Sequence, residues 1–121
     1  MVRDIARFYL SLILALFASS NAIAQSRPQV HWSTFHKQAN QCACHLFALE
    51  ALRKEGLNQI FEDTGSIILA GNNHVVAEVV CLPGNQQIRL SAFSTDSTTA
   101  ELTRNRVRET IVNSALFDTC P

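Results

Sequence analysis

The string Cys42-Ala43-Cys44-His45 concentrates the most reactive side chains of the chain, and several chemistries compete for it. Covalent haem attachment needs two residues between the cysteines ahead of the histidine; here there is one, which removes haem. A Cys-x-Cys pair near a helix start can be redox-active, because the helix N-terminus lowers a thiol pKa. That use leaves Cys81 and Cys120 free or bonded only to each other, and no thioredoxin-like βαβ pattern precedes the pair. Copper or zinc could draw on Cys42, Cys44 and His45, with His31, His36 and His74 as further donors. Cys44 and His45 diverge by about 100° on a helix, and neither His-x3-His nor Cys-x2-Cys spacing occurs. The remaining use is structural: an even cysteine count in a small exported domain reads as two disulfides.

Helix geometry selects among the three possible connectivities. Residues two apart on a helix point about 200° away from each other, so Cys42 and Cys44 should not bond together. Cys44 shares an apolar side with Phe47, Ala48, Ala51 and Leu52, which should face a sheet. Cys81, at the end of an apolar strand, is its natural mate, leaving Cys42 for Cys120. The loop-entropy model gives closures of this length an upper value of about 4 kcal/mol each.

Other catalytic patterns are weaker. There is no Gly-x-Ser-x-Gly, and the adjacent Glu62-Asp63 reads as a solvated turn. Gly84-Asn85 is turn chemistry and not a phosphate cradle, since no helix with open N–H groups follows it. Arg104, Arg106 and Arg108 are flanked by Glu101 and Glu109, the pattern of a wet helix face. The expectation is a domain that is not an enzyme and carries no cofactor.

What must position these residues begins with a leader. Arg3 and Arg7 precede the apolar run Phe8 to Ala18, and Ala22-Ile23-Ala24 has the small-x-small form of a cleavage site. This three-part pattern reads as a cleavable secretory signal over residues 1–24, with residues 25–121 as one small domain. The apolar run is about half the roughly 20 residues a membrane span needs. Gln25 in place of Cys gives no lipoprotein site. The expected location is the bacterial periplasm or the outside of the cell. Ten Lys+Arg against ten Asp+Glu give no net charge, which argues against nucleic acid as a partner. Hydrophobic content of 47% excludes a disordered chain.

Residues 25 to 40 show no clean period and read as an irregular N-terminal run, with Trp32 and Phe35 covering one end of the core. From Asn40 to Glu55 the spacing is helical, and Gly56 closes the helix. Ser66 to Ala70, Val75 to Leu82 and Gln87 to Phe93 read as strands, separated by Gly71-Asn72-Asn73 and Pro83-Gly84-Asn85. Thr98 with Glu101 forms a capping box for a second helix, whose seam is Ala100, Val107, Ile111 and Ser114 and which fades near Ala115. Phe117 and Cys120 then fold back. The expected fold is α+β: a two-layer α-β-β-β-α sandwich, a three-stranded antiparallel meander with both helices on one face.

Such a sandwich leaves one sheet face bare, carrying Val76, Val80 and Phe93 beside Glu78, Arg89 and Ser91. Apolar residues there mark an interface to a partner or a second copy, unless Trp32 and the N-terminal run fold across them. Residues 44 to 111 resemble small exported bacterial proteins with a helix–three-strand–helix pattern. The shared marks are Cys44, Ala48, Ala51-Leu52, Gly71-Asn72, Cys81 and Ala100, and Cys42 and Cys120 are additions to them. The resemblance implies the fold and the Cys44–Cys81 bridge, and no activity. Two functions follow: a non-enzymatic binding domain for a protein (inhibitor or immunity type) or an envelope component, or a thiol-redox or metal-handling protein using Cys42, Cys44 and His45.

Overall fold

The computed structural model describes residues 27–115 and residue 120. The proposed leader and Phe117 lie outside the described residues. The fold is α+β: β1 (Gln29–His36), α1 (Gln41–Lys54), β2 (Gln59–Asp63), β3 (Ile67–Gly71), β4 (Val76–Leu82), β5 (Gln87–Ser94) and α2 (Ser97–Asn113). All strand pairs are antiparallel, in the order β1-β5-β4-β3-β2. The expected three-stranded meander is therefore the middle of a five-stranded sheet. The N-terminal run is a strand on the outer side of β5, and α1 carries the chain across to the opposite edge, where β2 begins.

α1 starts where Asn40 Oδ1 accepts the Ala43 N–H at 2.8 Å, satisfying one of the free donors of the first turn. It ends in a Schellman motif: Leu57 N–H donates to the Leu52 carbonyl and Gly56 N–H to that of Arg53. Gly56 has φ +76°, a conformation that favours glycine. Leu52 and Leu57 are both buried, so the cap also closes a hydrophobic contact and aims the chain into β2. Cys44, Phe47, Ala48, Ala51 and Leu52 form the buried side of α1, which packs on β3 and β4.

α2 is capped by Asp96 and not by Thr98. Its carboxylate accepts the Thr98 N–H at 3.2 Å and the Thr99 hydroxyl at 2.6 Å. The Thr99 hydroxyl is the main reason the Asp96 pKa lies below its ordinary value. Ala100, Val107 and Ile111 are the buried seam. The helix stops at Asn113 because Ser114 takes an extended conformation. α2 lies against β1, β5 and α1.

Both helices meet the sheet face built from alternate residues: Phe35 on β1, Ile88, Leu90 and Ala92 on β5, Ala77, Val79 and Cys81 on β4, and Ile68 and Ala70 on β3. Ala70, Ala77 and Ala92 are consecutive cross-strand partners, and this row of small side chains gives the helices room to approach. Two disulfides complete the frame. Cys44–Cys81 (Cα–Cα 6.1 Å) ties α1 to β4, and Cys42–Cys120 (5.9 Å) ties the chain end to the start of α1. No helix among the described residues is long and apolar enough to cross a membrane.

Gly71 ends β3 at a place with no room for a side chain. A Cβ there would stand 2.8 Å from the Val75 carbonyl oxygen, 3.0 Å from Val76 Cγ2 and 3.1 Å from the Phe61 ring. The backbone oxygen belongs to the turn that Asn72 locks by accepting the N–H groups of His74 and Val75. Gly71→Ala should thus cost about 1–3 kcal/mol in urea unfolding. Gly84→Ala, where nothing lies within 4 Å, should change stability by no more than about 1 kcal/mol. Equal effects at the two positions would contradict this packing.

Candidate binding surface

Side chains alternate along a strand, so the residues between those of the core form a second face, opposite both helices. Cross-strand register orders them in rows. The first row runs Val30, Phe93, Val76, Gly71. Because Gly71 is bare, the Phe61 ring from the edge strand β2 leans over it and extends the row. The second row is Trp32, Ser91, Glu78, Leu69 and Glu62. The third is Thr34, Arg89, Val80 and Ile67.

Exposure along these rows is uneven. Trp32 is 64% exposed, Phe61 51% and Val30 50%, while Phe93, Val76, Leu69 and Ile67 are half-buried. Val80 is only 8% exposed. Of the residues expected on an open face, Val76 and Phe93 keep part of their surface in water and Val80 is buried.

Trp32 does not cover one end of the core, as expected of it together with Phe35, and does not fold across the face, the alternative left open by the sequence. β1 extends the sheet sideways and does not fold across the face, so Trp32 enlarges the apolar surface. Phe35, one pleat away, points to the helices and is buried. The sequence pattern marks neither β1 nor β2 as a strand, so only the structure brings Trp32, Val30 and Phe61 onto the face. The β-branched and aromatic residues of Val30 to Phe35 were the available signal.

The Cys-x-Cys-His string is divided among three partners. Cys42 and Cys44 leave α1 toward different bonds, and His45 Nε2 lies 2.9 and 2.8 Å from the two carboxylate oxygens of Asp63. Asp63 Oδ1 also accepts the Gly65 N–H at 2.9 Å, and Gln41 Nε2 donates to the Gly65 carbonyl. Glu62 and Asp63 are thus no simple turn, since Asp63 links β2 to α1. The other histidines are dispersed: His31 Nε2 lies 2.8 Å from Ser97 Oγ, His36 is exposed at the end of β1, and His74 lies in the β3–β4 turn. Among the described residues no three His, Cys, Asp or Glu come together as a metal site. Nor do the arginines of α2 share one wet face. Arg104 donates to the Trp32 carbonyl at 3.2 Å, and the Arg108 guanidinium lies 5.7 Å from the centre of the Phe35 ring.

The Gly65 N–H, then the His45 hydrogen bond, hold the Asp63 carboxyl below its ordinary value of 3.8. A carboxylate with a depressed folded-state pKa contributes stability that is complete above its unfolded value and is lost as pH falls through the folded one. The link between α1 and the β2–β3 loop should therefore loosen only below pH 3.8. In a carbon-detected NMR titration Asp63 should show a midpoint under that value, and His45→Ala should raise it without abolishing the shift. A wild-type midpoint at or above 3.8 would refute the arrangement.

Comparison of the sequence with protein-family models and with curated proteins finds no match.

Proposed function

We propose that the protein is an exported, non-enzymatic domain of the periplasm or cell exterior that acts by binding, with the open sheet face as its contact surface. The observation that carries this reading is the apolar row Val30, Phe93, Val76 and Phe61, joined by Trp32, on the side opposite both helices. Large contiguous apolar patches on a folded domain mark interaction sites, and an exposed tryptophan beside other aromatic side chains is the composition of binding hot spots. The partner class is a protein (the target of an inhibitor or immunity domain, or a second copy of this chain) or a component of the cell envelope. Export is supported by the leader pattern of residues 1–24 and by the two disulfides, which persist in oxidising compartments.

The thiol-redox or metal-handling reading has less support. Using Cys42 and Cys44 together would require breaking two bonds to two different partners, one of them in the core.

The test is cross-linking in the exporting cell. Trp32→Ala should remove the cross-linked species while leaving the unfolding free energy within about 0.5 kcal/mol, because the side chain is mostly in water. Val80→Asp should instead cost more than about 1 kcal/mol, since it takes a carboxylate out of water at a position only 8% exposed, with Arg89 across the strand offsetting only part of that loss. Cross-links that survive Trp32→Ala unchanged would contradict the assignment of the face.

A further inference from the structure

We infer that the occupant of the open face is a second copy of this chain, docked about a two-fold axis that sets Arg89 of each copy against Glu78 of the other. This rests on the reading of the face as a binding surface and names what it binds. On the three inner strands β3, β4 and β5, the open face carries two charges, Glu78 and Arg89. They stand on neighbouring strands, Glu78 opposite Ser91 and Arg89 opposite Val80. Among the described residues neither belongs to an ion pair. One acid and one base in the middle of an apolar surface form a self-complementary pattern. A two-fold axis lying between the stacked faces, along the perpendicular bisector of the line joining the two charges, exchanges their positions. It therefore makes both pairs at once, as an isologous interface requires.

Other occupants fit the charges less well. An anionic lipid surface or a nucleic acid would bring negative charge onto Glu78 and find only Arg89 to meet it. Two copies have no such conflict, and residues 25–121, with eight positive and nine negative side chains, carry too little net charge to repel at long range. The size is also of the right order. Five strands about 4.8 Å apart and about 23 Å long span on the order of 500 Å² in projection. That projection is within about a factor of two of the roughly 800 Å² that each partner of a standard stable complex buries. Packed this way, Trp32, Phe93 and Val76 are taken out of water.

Sedimentation equilibrium of the disulfide-intact protein decides the matter, with near-UV circular dichroism verifying the fold of each variant. The wild type should dimerise reversibly in the micromolar range or tighter. Glu78→Arg and Arg89→Glu each replace two attractions by two repulsions and should weaken the dimer at least tenfold. The double swap, Glu78→Arg with Arg89→Glu, restores both pairs and should recover most of the loss. A wild type that stays monomeric at the highest attainable concentration overturns the inference, as does a dimer indifferent to the single changes or a double swap no better than either. A monomeric wild type that still loses its cellular cross-link on Trp32→Ala would overturn the second copy alone and leave the binding role of the face standing.

Discussion

The bond between Cys44 on α1 and Cys81 on β4 decides which side of the sheet is inside. Successive strand residues point to opposite faces, so turning Cys81 toward α1 commits Val79 and Ala77 to the same side and sends Val80, Glu78 and Val76 to the other. Pairing then carries the decision outward. Ile88, Leu90 and Ala92 follow on β5, Ile68 and Ala70 on β3, and Phe35 on β1. A slip of one residue would place the alanine row in water and Glu78 beneath the helices, which no packing could offset. The open face, with its apolar row and the charges of Glu62, Glu78 and Arg89, is the other half of the same alternation.

The sheet's edges and its open face are treated differently. The backbone of β1 is engaged by Arg104, and Lys37, just past its end, reaches the Val112 and Ser114 carbonyls at the C-terminus of α2 while lying over the Phe47 ring. β2 is interrupted by a bulge between Ile60 and Glu62 and ends in two acids, one held by His45. Bulges and charges of this kind discourage edge-to-edge pairing. Nothing comparable protects the face, where tryptophan, phenylalanine and valine side chains are left in contact with water. Association through the face is thus consistent with a molecule whose edges are blunted.

The helices and the central strands were legible in the sequence because their patterns are unmixed. α1 carries Cys44, Phe47, Ala48, Ala51 and Leu52 at helical spacing, and β4 alternates cleanly. The divergence of Cys42 and Cys44 was equally legible, since it follows from 100° per residue; the structure bonds them to Cys120 and Cys81 respectively. The two outer strands were not legible. β1 offers the core only Phe35 beside the polar His31 and Ser33, while its larger apolar residues, Val30 and Trp32, point outward. That pattern resembles a loop with scattered aromatics. β2 is exposed along its whole length, and its bulge breaks the alternation that would have revealed it. The cap of α2 was misplaced by two residues because Asp96, Ser97, Thr98 and Thr99 are all good capping types, and only tertiary position chooses among them. Without β1 the extent of the face is also hidden, since only a strand there decides between an open face and one that Trp32 folds across.

Trp32 is the chain's one tryptophan, so its fluorescence reports on the face alone. Ready quenching by acrylamide and a red-shifted emission are expected at nanomolar concentration. Both should give way to a protected, blue-shifted state as the concentration rises through the range of association. An indole already shielded in the dilute, monomeric protein would mean that the chain covers its own face, and would contradict the account at its centre.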